Sequence, residues 1–396
     1  MKNSKYHRRL AVWDILLVLT VVWCSCTEQT NTADKYMLQP VDDCLEYAVD
    51  EDTRVPLYNL YTFEDKGVEY LTFSNSDTRT VLIYELQTGK LVKKVSYDSE
   101  GPNGIGTVLF GYLVKDFGHI YIPNINQSRI YETDTTGIIR KTIDFSKAEA
   151  GLLTVPAYYT NQDNKQLYFI GDSLYIPQAL NRSIGTDRWV EESPVAVFVD
   201  TLSNKIKKFP MLHPYGEITS KNYNSYISDI SYGCLMKDSC FVYSFALDEN
   251  LYKVNILTGK IETFGAKSRY LSHVHPVKLS SDLTQLMKKT CEMANYGNIL
   301  YDQYRKVYYR FVALEAEIAP HEDYRKILHA GKADFSIMIL DENFNVLGET
   351  RFPAYTYVPH ICFINEDGLY LSTSHFKRED YSDDLLRFQR IELIKN

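Results

Sequence analysis

One short turn recurs along this chain and limits its fold more than any other feature. Residues 85–90 (ELQTGK) and 255–260 (NILTGK) are nearly the same hexapeptide, each between two apolar runs of strand length. Looser copies stand at 200–205 (DTLSNK), 135–137 (TTG) and 341–345 (DENFN). Gly or Asn at the tight position supplies a positive φ, so each copy reads as a hairpin between the third and fourth strands of a repeating unit. The unit is legible in full between residues 99 and 145, with strands expected at 105–114, 119–122, 129–132 and 138–145, separated by Gly, Asn, Asp and Thr clusters. Four strands in about forty residues is the period of a propeller blade.

Five turns imply five blades, at 68–97, 105–145, 167–209, 230–264 and 299–352. A sixth is expected from strands at 361–364, 369–373 and 386–394, closed by an early strand around 45–49, because a sheet left one strand short exposes an edge. The 32 Tyr and 18 Phe suit half-buried pleated strands, and 45% apolar content suffices for a core. The expected fold is therefore an all-β, six-bladed propeller over residues 41–396. Three stretches, 178–193, 313–333 and 375–385, fall between second and third strands, so they crowd the same face as the junctions between blades. Residues 281–294 carry apolar positions at helical spacing, and a second helix is expected within 313–330, interrupted by Pro320.

The first 25 residues read as a signal peptide, with Lys2, Lys5, Arg8 and Arg9 before an apolar run that Asp14 interrupts. The run ends in VWCSC, so Cys26, which follows the small Ser25, is the expected lipidation site, with 26–40 as lipidated cysteine and tether. The alternative is an ordinary secretory signal. A lipid on Cys26 implies a membrane partner and a place in the cell envelope, on the outer membrane facing the periplasm or the cell surface. The formal charge of the whole chain is −8, and cleavage removes four bases and one acid. Such a balance, with no basic run, leaves no footprint for nucleic acid.

The junction GPNGIG (101–106), leading into GHIYIPNINQSRIYETD (118–134), resembles the NHL and TolB-like six-bladed propellers. Together with the cysteine box it is similar to a lipoprotein family of Bacteroidota defined as a domain of unknown function. That resemblance implies a fold and a location, and no activity.

No GxSxG, HExxH, GxxxxGK[ST] or GxGxxG is present. The run 101–106 lacks a following helix signal and reads as a blade junction rather than a phosphate loop. A proline marks each of five junctions, at Pro102, Pro156, Pro214, Pro276 and Pro359, and His213, His275 and His360 stand beside three of them, with His273 a substitute for His275. Three neutral imidazoles could hold zinc or a similar divalent ion with one position open, while the bland alternative is hydrogen-bonded loop residues. The acidic turns 248–250 and 365–368 are weaker candidates for calcium, since neither completes a known loop. Arg188 and Trp189, on the insertion 178–193, are candidates for ligand contact, with surface packing the alternative. Cys234 and Cys240 flank a turn that a disulfide could span. Two functions fit: a binding or scaffolding module that takes a small ligand or another envelope protein, and a metal-assisted hydrolase or lyase at the propeller mouth.

Overall fold

The computed structural model describes residues 34–53, 58–75, 78–109, 111–124, 127, 129–144, 167–178, 194–213, 231–236, 239–275, 277, 280–332 and 334–396. Their strands form six four-stranded antiparallel sheets. Blade one is β2 (Tyr58–Asp65), β3 (Val68–Asn75), β4 (Thr80–Glu85) and β5 (Leu91–Ser96). Blade two is β6 (Leu113–Asp116), β7 (His119–Asn124), β8 (Arg129–Thr133) and β9 (Ile139–Asp144). Blade three is β10 (Tyr168–Ile170), β11 (Ser173–Pro177), β12 (Ala196–Asp200) and β13 (Ile206–Lys208). Blade four is β14 (Ser231–Leu235), β15 (Cys240–Phe245), β16 (Asn250–Asn255) and β17 (Ile261–Gly265). Blade five is β18 (Asn295–Asp302), β19 (Val307–Ala313), β20 (Phe335–Asp341) and β21 (Val346–Phe352). Blade six joins β22 (Val358–Ile364), β23 (Leu369–Ser372) and β24 (Leu385–Lys395) to β1 (Tyr36–Ala48), which pairs antiparallel with β24 from Tyr36↔Lys395 to Ala48↔Leu385. The ring is thus closed by the N-terminal strand. β1 begins at Tyr36, so residues 36–40, read as tether, belong to the sheet.

Burial follows position in the blade. The second strands β15 and β19 are buried almost throughout and read CFVYSF and VYYRFVA, because neighbouring blades cover both faces of the sheet. The outer strands β5 (LVKKVS) and β17 (IETFG) lie at the rim and are largely exposed or half-buried. Each expected hairpin joins a third to a fourth strand. Gly89 has φ +66°, and a Cβ there would lie 2.3 Å from the Glu46 carbonyl oxygen of β1, so this turn is glycine because it also sits on the neighbouring blade.

Three expectations change. Blade one gains β2, ahead of the start expected at 68. The strand expected over 105–114 shrinks to Leu113–Asp116: the N–H groups of Ile105 and Gly106 turn back to Asp98 O (2.9 Å) and Ser99 O (3.2 Å), and at the start of the strand the Tyr61 hydroxyl of blade one donates to Tyr112 O (3.0 Å) and accepts from Val114 N (2.6 Å). Within 313–330 only Tyr324–Ala330 is helical, capped by the Asp323 carboxylate, which accepts from Lys326 N. The other helix forms as expected, at Leu283–Glu292, with Asp282 accepting from Gln285 N. They are called α1 (283–292) and α2 (324–330) below. Cys234 and Cys240 are free; Cys234 lies opposite Val242 in the β14–β15 ladder, two positions out of register with Cys240.

A pocket at the end of the second helix

Successive strands alternate in direction, so the start of each first strand, the insertion between second and third strands and the junctions between blades share one face. On that face α1, from the junction before blade five, packs against α2, from the insertion within it. Cys291, Ile318, Tyr324 and Ile327 form a small core between them, and the Cys291 thiol donates to Tyr324 O at 3.4 Å. Beside the end of α2 is a pocket of about 80 Å³. β18 lines it with Asn295, Gly297 and Asn298, and β19 with Phe311 to Ala313. Leu328, Gly331 and Lys332 of the insertion and Pro359 and His360 of β22 complete most of the wall.

Gly331 brings the last two groups together. It ends α2 with φ +106°, and a Cβ on it would lie 2.6 Å from Pro359 Cδ. Positive φ and close approach both exclude a side chain, and the chain leaves the helix with Lys332 turned into the pocket wall. Lys332 Nζ donates to Met293 O (2.9 Å) and to the Asn295 side-chain oxygen (2.7 Å). Burial lowers its pKa to about 7, against a smaller opposing influence of Cys291. Among the described residues lining the pocket, Lys332 is the one that carries a charge.

His360 is held in its neutral form. Burial first, then the His329 and His375 rings, push its pKa down to about 3, against a hydrogen bond to the His329 backbone that raises it. A bond that favours the imidazolium is one the ring donates, and Nε2 is buried with no partner among the described residues. The proton is therefore on Nδ1, and Nε2 presents a bare lone pair. The Asn298 side-chain oxygen is likewise buried and unpartnered. His375, whose Nε2 lies 3.5 Å from Gly331 O, is lowered by burial to about 4.

The other expected site residues lie elsewhere. His213 is buried against Phe245, with ring centroids 6.2 Å apart. His273 and His275 are exposed, their rings 6.1 Å apart, in a separate cleft with Asp248 and Glu249. Among the described residues no three His, Cys, Asp or Glu side chains stand together to hold a metal ion, so His213, His275 and His360 are not gathered at one point. In the acidic turns Asp248 accepts from Asn250 N (2.9 Å) and the Tyr252 hydroxyl (2.5 Å), and the Asn365 side chain accepts from Asp367 N (2.9 Å) and Gly368 N (3.1 Å). Both acceptors are spent on shaping the chain. In the 101–106 junction Gly104 N donates to Gly101 O and Gly106 N to Ser99 O, and a β-bridge pairs Asp98 with Gly104. Cys26, Arg188 and Trp189 lie outside the described residues. Lys332, Asn295 and Asn298 were missed by sequence reasoning; the one signal was the length of the insertion 313–333.

With this geometry in place, comparison with known proteins is informative about kinship. The profile of DUF4221, a domain of unknown function, matches residues 35–351. This chain belongs to the DUF4221 family. The match includes Lys332 and stops before His360. A DUF4221 member from Bacteroides vulgatus has a crystal structure that superposes with a TM-score of 0.79 at 23% identity, covering 92% of this chain and 99% of that one. An exported-protein candidate of Bacteroides fragilis superposes at 0.54 and 11% identity, covering 90% and 96% respectively. Both likenesses concern the fold. No curated protein matches the DUF4221 chain.

Proposed function

We propose that this DUF4221 propeller is a binding module of the cell envelope, anchored by a lipid on Cys26, that takes a small ligand in the pocket at the end of α2. The observation carrying this reading is the combination of one half-buried amine and two acceptors without partners among the described residues in a single pocket on the insertion-bearing face. An unmet buried acceptor costs about 1–3 kcal/mol, which a ligand donor recovers. The cysteine box supports the anchor, and acidic composition fits a partner other than nucleic acid. The metal-assisted alternative rested on three histidines meeting, and the described residues give it no such centre.

One set of preparations tests both halves. The full chain should fractionate with membranes and Cys26→Ala with the soluble proteins; equal retention of both would remove the anchor. Thermal unfolding of the full chain against a panel of neutral, cationic and anionic small solutes should show at least one class that raises Tm. Ala313→Leu, which fills the pocket, should abolish that rise. A panel that leaves Tm unmoved, or a shift that survives Ala313→Leu, would count against the pocket.

A further inference from the structure

We propose that the pocket binds a short hydroxycarboxylate, with the carboxylate on Lys332 and the hydroxyl donating to Asn298 Oδ1 or His360 Nε2. This rests on the binding reading above and names the ligand class it leaves open.

Lys332 is the charged group of this wall. Two of its three ammonium protons go to neutral acceptors, the Met293 carbonyl and the Asn295 amide oxygen, and it forms no ion pair among the described residues. Among the described residues no acidic side chain lines the pocket. A half-buried cation whose partners are all neutral gains from an anion that can reach it, because Coulomb attraction is stronger in the lower dielectric beside a protein wall than in bulk water. A carboxylate alone would leave Asn298 Oδ1 and His360 Nε2 unmet, since it is an acceptor like them. The ligand that satisfies the whole wall carries a negative charge and a hydrogen-bond donor together. Size then limits it. At about 80 Å³ the pocket is well above the volume that holds one water, about 10–15 Å³, yet far too small for a sugar or nucleotide, so the ligand is short. Phe311, Val312, Leu328, Phe335 and Pro359 make the rest of the wall apolar, which suits a short carbon chain.

Binding of an anion is linked to protonation. The titratable groups around Lys332 are Cys291 from α1, His329 from α2, His360 from β22 and His375 from the insertion of blade six. Burial raises the Cys291 thiol to about 12 and lowers His360 and His375 to about 3 and 4, and it also lowers His329. Glu292 is occupied by Lys288 and by Ile318 N. Between pH 7 and 9 Lys332 is therefore the group that changes charge, losing its proton in the free protein and regaining it when the anion binds.

The test is calorimetric titration of the full chain in detergent with lactate, and with acetate and propane-1,2-diol as the ligand lacking the donor and the ligand lacking the charge. Lactate should bind about tenfold tighter than acetate and about a hundredfold tighter than the diol. Its heat should depend on the buffer at pH 8.5, reporting close to one proton taken up, and lose that dependence near pH 6. Lys332→Met should abolish both binding and uptake. Acetate equal to lactate overturns the donor half, and the diol equal to lactate overturns the charge. No binding by any of the three overturns the inference, leaving the pocket to water; if another class of solute still raises Tm and Ala313→Leu removes that rise, the binding reading stands without it.

Discussion

Blade five carries one fully buried cation and one half-buried one, and the protein treats them in opposite ways. Arg310 on β19 is fully buried and every N–H of its guanidinium is spent. Nε donates to Ser244 Oγ (2.9 Å), Nη1 to Glu249 O and Ala266 O (both 2.7 Å), and Nη2 to Asp248 O (2.6 Å) and Asn250 O (3.3 Å). Its plane also lies 3.7 Å from the Tyr296 ring centroid. All five acceptors belong to blade four or the junction after it, so Arg310 staples one blade to the next. Lys332, at the other end of the β19–β20 insertion, has two neutral acceptors and an open pocket beside it. A buried charge whose hydrogen bonds are complete is architecture; one whose bonds are incomplete, beside a cavity, is positioned to receive a ligand.

The largest effect is expected at the staple. Arg310→Met should destabilise the fold by about 3–5 kcal/mol, because four carbonyls and a hydroxyl lose their donor inside the protein. Arg310→Lys should recover little, since an ammonium cannot span a fork of five acceptors. Denaturant midpoints for the two variants check this. A lysine variant as stable as wild type would mean that charge, and not the guanidinium geometry, holds blades four and five together.

At Lys332 a smaller effect of the opposite sign is expected. The amine falls from 10.5 to about 7 on folding, so between those values the unfolded chain binds more protons than the native one and wild-type stability rises with pH. Lys332→Met has no such term. Its stability relative to wild type should be most favourable near pH 6.5 and decline by roughly 2 kcal/mol by pH 9.5, a moderate figure because the residue is only half-buried. Urea unfolding at the two pH values gives the difference, and parallel behaviour of wild type and variant would make Lys332 an ordinary solvated lysine.

That contrast also shows why some of the molecule was readable in the sequence. The blades announced themselves through local chemistry: residues 85–90 and 255–260 repeat a turn whose glycine is required by φ, and at Gly89 by the neighbouring blade as well, and the insertion 313–333 marked itself by length. His360 was singled out from its place beside Pro359 and does line the pocket, though in company different from the His213 and His275 it was grouped with. Lys332 gave no sign. A lysine after a helix-ending glycine looks like any solvated loop residue until the helix packs on α1 and Gly331 closes on Pro359, contacts made between segments far apart in sequence. Arg310 was hidden for the same reason in reverse: its five acceptors are mostly backbone carbonyls, which carry no residue signature.

The smallest effect separates the pocket's two ends. His360 falls from 6.5 to about 3 on folding, so below pH 6.5 the unfolded chain takes up a proton that the native ring refuses, and stability is lost as the pH drops toward that lower value. His375 acts in the same direction, falling to about 4. His360→Gln keeps an amide donor for the His329 backbone without a titrating group, so it should unfold less readily in acid than wild type. Its relative stability should improve by roughly 1 kcal/mol between pH 6.5 and 5, while the Lys332→Met difference, set by a group protonated throughout that range, stays constant. If His360→Gln and wild type lose stability in parallel over those pH values, the ring is not held neutral, and the lone pair at Nε2 is not available to a ligand.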